Sequence, residues 1–253
     1  MFDVLLARIK QKYRTIPYPK KIPIMPDRLR GRPWVEQTRC ASGCTKCVDI
    51  CPVRAITKAD HSGVTFDLGR CLFCPDCSDA CPQKAIMFNQ DYRLATSRRD
   101  HLIYDPRTEY QLAKELKKET LRVFRRSLKL RQVSAAGCNA CEADLNVLST
   151  VVFDLARFGI QFVASPRHAD GVVITGPVSK NMKLGLEKTY AAIAAPKLVI
   201  CVGACAISGG PFIDHAEASN GATDLLPVDL FIPGCPPHPM TILDGFLRML
   251  KRL

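Results

Sequence analysis

Two cysteine runs, displaced by 30 residues, constrain this chain more than any other feature: CTKCVDICPVRAI at 44–56 recurs as CPDCSDACPQKAI at 74–86. An internal repeat sets the architecture before any secondary-structure reading begins. The second run reads Cys71-x2-Cys74-x2-Cys77-x3-Cys81-Pro82. Three closely spaced thiolates can wrap three corners of a [4Fe–4S] cube, with the fourth cysteine reaching a second cube. The first run, Cys40-x3-Cys44-x2-Cys47-x3-Cys51-Pro52, carries one extra residue before Cys44, which a loop can absorb. The crossed pattern assigns Cys40, Cys44, Cys47 and Cys81 to one cube and Cys71, Cys74, Cys77 and Cys51 to the other. A pair of zinc sites is the alternative, but four-cysteine zinc sites usually show two separated C-x2-C pairs rather than two runs ending in Cys-Pro. A three-iron cluster in the first repeat also stays open, because it would tolerate a misplaced ligand.

The remaining composition agrees. With 253 residues the chain holds one large domain or two small ones, and an apolar share of 47% argues against wholesale disorder. No stretch approaches the roughly 18 uncharged apolar residues of a membrane-spanning helix. The start, MFDVLLARIKQKY, puts Asp3 and several bases into its apolar part, unlike a secretory leader. A cytoplasmic setting follows as the expectation, and there 13 cysteines read as metal ligands rather than disulfides. The net charge of +12 is concentrated in two segments: nine bases against two acids in 1–33, and eleven against five in 96–131.

These shifts divide the chain into a basic, proline-rich arm (1–33), a two-cluster domain (34–95), a basic linker (96–131) and a second domain (132–253). In the linker, Leu112, Leu116, Val123, Phe124 and Leu128 fall near helical spacing and predict an amphipathic helix over 110–131. Beyond 132, apolar runs at Ile160–Ala164, Val172–Gly176, Leu198–Gly203 and Leu230–Pro233 alternate with helical stretches at Glu142–Phe158, Lys180–Ala194 and Met240–Leu253. The fold class is α+β with two domains: a two-cluster domain joined by the linker helix to a flavodoxin-like parallel sheet of four or five strands.

Five cysteines lie in that second domain. Cys138 and Cys141 precede a helix, Cys205 follows the Leu198–Gly203 strand and Cys235 follows the Leu230–Pro233 strand. In a parallel sheet these loops open at one carboxyl edge, where open α/β folds place their sites. A short strand at Val133–Ala135 would bring the C-x2-C pair there too, enough for a third [4Fe–4S] cluster. Cys201, inside LVICVG, reads as a buried core thiol.

The stretches GCNACEADL (137–145), FGIQFVASPRHAD (158–170), TGPVSKNM (175–182), GACAISGG (203–210) and LFIPGCPPHP (230–239) resemble the small subunit of membrane-bound, energy-converting group 4 [NiFe]-hydrogenases. The formate hydrogenlyase type is especially similar, and the 20 kDa subunit of complex I is a cousin. RGRPW (31–35) and DLGRCLFC (67–74) resemble the two-cluster ferredoxin subunit of the same complexes. In that family the two are normally separate polypeptides, whereas here they are fused. Complex I relatives carry adjacent cysteines where this chain has Cys138-Asn139-Ala140-Cys141, and the spaced pair favours the hydrogenase branch.

The resemblance implies an oxidoreductase subunit that conducts electrons through three [4Fe–4S] clusters. Nickel would lie in a separate large subunit, with none bound here. Further partners would be membrane subunits of an ion-translocating complex and an electron donor or acceptor such as formate dehydrogenase or ferredoxin. The complex would sit on the cytoplasmic face of the inner membrane, with this chain peripheral through it. A nickel-free, complex I-like relative is the competing reading. For Glu142 the resemblance implies a proton relay, beside the plainer role of an acid in a first helical turn. Arg167 and His168 are either a cationic pair tuning the third cluster or a solvated loop pair. His238 reads as a helix-start residue. Nucleic acid is not an expected partner, since no aromatic residues interleave with the bases. The basic arm and linker read as segments that dock onto partner subunits or anionic lipid.

Overall fold

The computed structural model describes residues 2–59 and 63–253. Its first domain is built by the repeat. Strand β1 (Pro33–Val35) leads to helix α2 (Lys46–Asp49) and strand β2 (Ile56–Ala59), and β3 (Gly63–Asp67) leads to α3 (Asp76–Asp79) and β4 (Ile86–Phe88). The opening strand of each repeat pairs with the closing strand of the other, β1 with β4 and β3 with β2, both antiparallel. Register shows where the extra residue of the first run goes. Val35 faces Ile86 and Phe66 faces Ile56, so the opening strands correspond at a displacement of 31. The helices and closing strands correspond at 30, and the additional residue is therefore confined to the Cys40–Cys44 loop. A short strand β5 (Ile103–Tyr104) adds to β3.

The second domain is a five-stranded parallel sheet of β6 (Leu128–Ser134), β7 (Ile160–Phe162), β8 (Gly171–Thr175), β9 (Leu198–Val202) and β10 (Leu230–Ile232). Their order, β10-β9-β8-β6-β7, is the flavodoxin-like order, with its topological switch point between β6 and β8. Helices α5 (Ala140–Val147), α6 (Lys180–Ala192), α7 (Ala204–Ser208) and α8 (Pro239–Met249) complete the layers. β8 and β9 are buried at every position, as strands covered on both faces must be.

The expected linker helix is the main correction. Within 96–131 the structure holds a 3-10 turn at Asp100–Leu102, β5, a seven-residue helix α4 (Lys118–Phe124) and the first half of β6. Residues 110–117 send their backbone bonds elsewhere: Ala113 N–H donates to Ala95 O and Leu116 N–H to Met249 O. Leu128 and Leu130 are buried on either side of exposed Lys129, and the segment pairs with β7 and β8, which makes it a strand. The helix expected over Glu142–Phe158 likewise closes at Val147 and resumes only as a 3-10 turn at Leu155–Phe158.

The domains share a core. Phe66 and Leu68 of the first pack in one cluster with Val133, Ile174 and Ile207 of the second. Thr96 forms an antiparallel bridge with Phe231 that adds a backbone pair to the β10 edge, and Ser208 Oγ donates to Gly69 O. The arm begins with helix α1 (Phe2–Gln11), runs on without regular structure and is pinned where Tyr18 donates to the buried Asp244. Among the described residues no helix is long and apolar enough to cross a membrane.

Candidate metal centres

Each repeat folds its run the same way. The third cysteine sits on the short helix (Cys47 on α2, Cys77 on α3), and the Cys-Pro pair turns the chain into the closing strand. The consequence is two hollows. One is lined by Cys40, Cys44, Cys47 and Cys81, the other by Cys51, Cys71, Cys74 and Cys77. These are the crossed quartets expected from spacing. Apolar side chains, including Val53, Ile56, Phe66 and Phe88, wall the second hollow. Backbone amides point at the sulfurs: Ala55 N–H to Cys51 Sγ at 3.2 Å, Phe73 N–H to Cys71 Sγ at 3.3 Å and Ala85 N–H to Cys81 Sγ at 3.3 Å. Such donors stabilise negative sulfur and are one lever on cluster potential.

The third hollow lies at the carboxyl edge of the parallel sheet, at the β6/β8 switch point. Cys138, Cys141, Cys205 and Cys235 line it, with Gly137, Glu142, Gly176 and Gly234. Cys138 and Cys235 are exposed and Cys141 and Cys205 partly buried, so this hollow borders the surface. Its floor is too close for side chains. A Cβ on Gly203, where φ is +90°, would meet Cys141 Sγ at 2.5 Å, and one on Gly210 would meet Cys205 Sγ at 2.8 Å.

Burial pushes the thiols up, and neighbouring thiols add to the effect. Cys71 and Cys77 each rise to about 12 and Cys205 to about 11. Helix α2, which carries Cys47, packs on α3, which carries Cys77, and Leu72 and Phe73, between Cys71 and Cys74, line one cleft with Cys235. Metal ligation takes the thiolate, so iron entering these hollows would displace protons from them. Among the described residues no three His, Cys, Asp or Glu side chains are arranged to hold a metal ion. The thiols surround hollows instead, and four cysteines per hollow, amide donors aimed at sulfur and side-chain-free glycines against it suit an iron–sulfur cube.

Glu142 stands in the first turn of α5, buried, across the switch point. Ser134 and Thr175, paired as the last residues of β6 and β8, both donate their hydroxyls to Glu142 Oε1 at 2.6 Å. Its Oε2 is buried without a partner. Ser134 lies in no motif and Thr175 opens the TGPVSKNM stretch, but nothing in the sequence pairs either with Glu142 beyond a hydroxyl at the end of each of two strands. Arg167 and His168 stand apart from the third hollow. Both are exposed in a 3-10 turn, and two residues later Asp170 binds Lys129 near the amino end of β6. The turn is thus level with the start of β8, about four residues or roughly 13 Å from its carboxyl end, and neither side chain lines the third hollow. His238 caps α8, its Nδ1 accepting from Met240 N–H at 3.1 Å. Cys201 is fully buried in β9.

Comparison with known proteins follows these two units. Residues 39–86 match the 4Fe-4S dicluster domain, and residues 138–249 match the NADH ubiquinone oxidoreductase, 20 Kd subunit. Formate hydrogenlyase subunit 7 of Escherichia coli is 38% identical over 148 residues, 58% of this chain and 58% of that protein. The chain thus spans little more than half the length of that relative. An NADH-quinone oxidoreductase subunit of Carboxydothermus hydrogenoformans is 40% identical over 118 residues, 46% of this chain and 71% of that one. The "Probable membrane-bound hydrogenase subunit mbhJ" of Pyrococcus furiosus is 37% identical over 121 residues, 48% of this chain and 72% of that one. The chain belongs to the family of the 20 kDa subunit of NADH ubiquinone oxidoreductase, here carrying a 4Fe-4S dicluster domain on the same polypeptide.

Proposed function

We propose that this chain is an electron-transfer subunit carrying three [4Fe–4S] clusters, which passes electrons between a redox partner and a nickel–iron site in a separate large subunit of a membrane-associated hydrogenase complex. The redox partner would be a formate dehydrogenase or a ferredoxin, and the complex would face the cytoplasm. The observation that supports this most is the succession of the three four-cysteine hollows. The helices of the first and second, α2 and α3, pack together, and the Cys71–Cys74 loop of the second shares a cleft with Cys235 of the third. Bound clusters supply one-electron carriers whose potentials follow charge, hydrogen bonds to sulfur and exposure.

The chain's own residues have distinct tasks in this reading. Twelve cysteines hold the clusters, and the amides of Ala55, Phe73 and Ala85 stabilise three of their sulfurs. The exposed Cys138 and Cys235 mark the edge on which the large subunit would seat. Beneath them Glu142 is held through one oxygen while the other stays uncommitted, so it can take or give a proton at Oε2.

A second reading has the same wiring in a complex I-like or hydrogenase-related oxidoreductase without nickel, and the similarity to the NADH-quinone oxidoreductase of Carboxydothermus hydrogenoformans favours it. Anaerobic purification of the intact complex with metal analysis separates the two. Twelve irons per chain with nickel in the partner supports the hydrogenase, and twelve irons without nickel supports the second reading. Eight irons, or zinc, would remove the third cluster from both.

A further inference from the structure

We infer that helix α1 is an interfacial anchor with which the chain itself lies on an anionic bilayer. The helix Phe2–Gln11 has no buried residue, although it is rich in apolar side chains. Phe2, Leu5, Leu6 and Ile9 recur at helical spacing and form one face, and they are 81%, 56%, 54% and 71% exposed. At 100° per residue, Arg8 and Lys10 stand at the two margins of that face, with Asp3 beside Lys10, while Val4, Ala7 and Gln11 fall on the far side. Bases flanking an apolar stripe let their stems run along it and reach headgroups with their charged ends. Lys12, Arg14, Lys20 and Lys21 follow, and Asp3 is the only acid among residues 2–21.

The position of the helix on the molecule points the same way. Its root is fixed by Thr15 Oγ1 donating to Val151 O and Ile16 N–H donating to Val152 O. Val151 and Val152 are themselves exposed, so the apolar surface continues past the helix. This corner lies near the amino edge of the parallel sheet, away from the third hollow. Helix α4 enters the sheet at that edge and presents Lys117, Lys118, Arg122, Arg125 and Arg126 to solvent. A protein partner is the less fitting occupant. A stable interface covers about 800 Å² on each side with a packed apolar centre, more than one short helix edged by bases offers. Apolar insertion of a few side chains together with anionic attraction is what an interfacial helix needs.

The test uses the full chain with its clusters, floated with vesicles of phosphatidylglycerol and phosphatidylethanolamine or of phosphatidylcholine alone. The chain should bind the first and not the second, and salt should weaken the binding. Leu5→Asp and Ile9→Asp should each lower the affinity at least about tenfold, from the loss of a buried side chain. Reversal at the margins, Arg8→Glu with Lys10→Glu, should do the same. Because α1 buries nothing, all variants should keep the wild-type circular dichroism and iron content. Phe2→Trp gives a second readout, a blue-shifted emission over the Trp34 background with anionic vesicles only. Unchanged binding of the Leu5 and Ile9 variants would overturn the proposal, as would no binding by the wild type. So would an Ile9→Asp variant that keeps its vesicle affinity but changes oligomeric state, which would make α1 a protein interface.

Discussion

Glu142 is the residue at which structure and chemistry press hardest on each other. Two hydroxyls hold Oε1, and Oε2 has no partner although it is buried. A buried acceptor without a donor costs about 1–3 kcal/mol, which the fold tolerates here beside the third hollow. Glu142→Gln keeps an oxygen for Ser134 and Thr175 while removing the exchangeable carboxyl proton. In the hydrogenase proposed above, hydrogen turnover should fall about 100-fold or more, with iron content and cluster spectra unchanged; full turnover in the variant would end the relay. Gly203 tests the hollow in a different way. Its positive φ and the 2.5 Å approach to Cys141 Sγ leave no room for a methyl group. With three clusters bound as proposed, Gly203→Ala should lose the iron of the third and retain that of the other two, read as about eight irons per chain in place of twelve. Twelve irons in this variant would mean that Cys141 does not ligate.

At the scale of elements, legibility followed the strength of the local signal. The cysteine quartets were readable because C-x2-C spacing and the repeat dictate which thiols meet, and the strands ending before Cys205 and Cys235 because apolar runs of that length have few alternatives. The linker is ambiguous in sequence because leucines near a 3.6-residue period compete with strand alternation over the same residues. Long-range bonds decide it: Tyr110 Oη donates to Leu94 O, and Leu116 N–H reaches Met249 O, contacts no local pattern encodes. Ser134 and Thr175 were missed for the same reason, since only the pairing of β6 with β8 brings them to Glu142. The strand assignment makes a stability ordering. Leu130 is fully buried in β6, and Leu130→Ala should cost about 2–5 kcal/mol. Leu112→Ala, in the irregular segment and only partly buried, should cost less than half as much. Thermal unfolding of the two variants checks this, and equal losses would restore a packed helix over 110–131.

For the whole molecule, the question is why two units that occur as separate domains should share a chain and a core. In the proposed function, electron transfer between clusters in the second and third hollows depends on the distance between them, and a flexible tether would leave that distance to fluctuate. The contacts across the boundary converge on the two cysteine sites. Gly69 comes two residues before Cys71 and accepts from Ser208 Oγ, three residues after Cys205. Thr96 exchanges both backbone bonds with Phe231, at 2.9 Å each, four residues before Cys235. Arg99 completes the set by holding Asp67 with two bonds at the end of β3. These contacts tie loop to loop, so docking fixes Cys74 relative to Cys235. Thr96→Pro removes the donor of the bridge inside a buried segment and cannot be compensated by water. The variant should keep twelve irons, yet reduction of the third cluster by an external donor should slow at least about tenfold, and magnetic coupling between the second and third clusters should weaken. Ser208→Ala, which deletes the hydroxyl shared between Gly69 O and Ala204 O at a cost of about 1 kcal/mol, should leave both readouts near wild type. Rapid reduction in Thr96→Pro, with hydrogen exchange showing residues 95–97 detached from β10, would mean that the shared core alone positions the clusters.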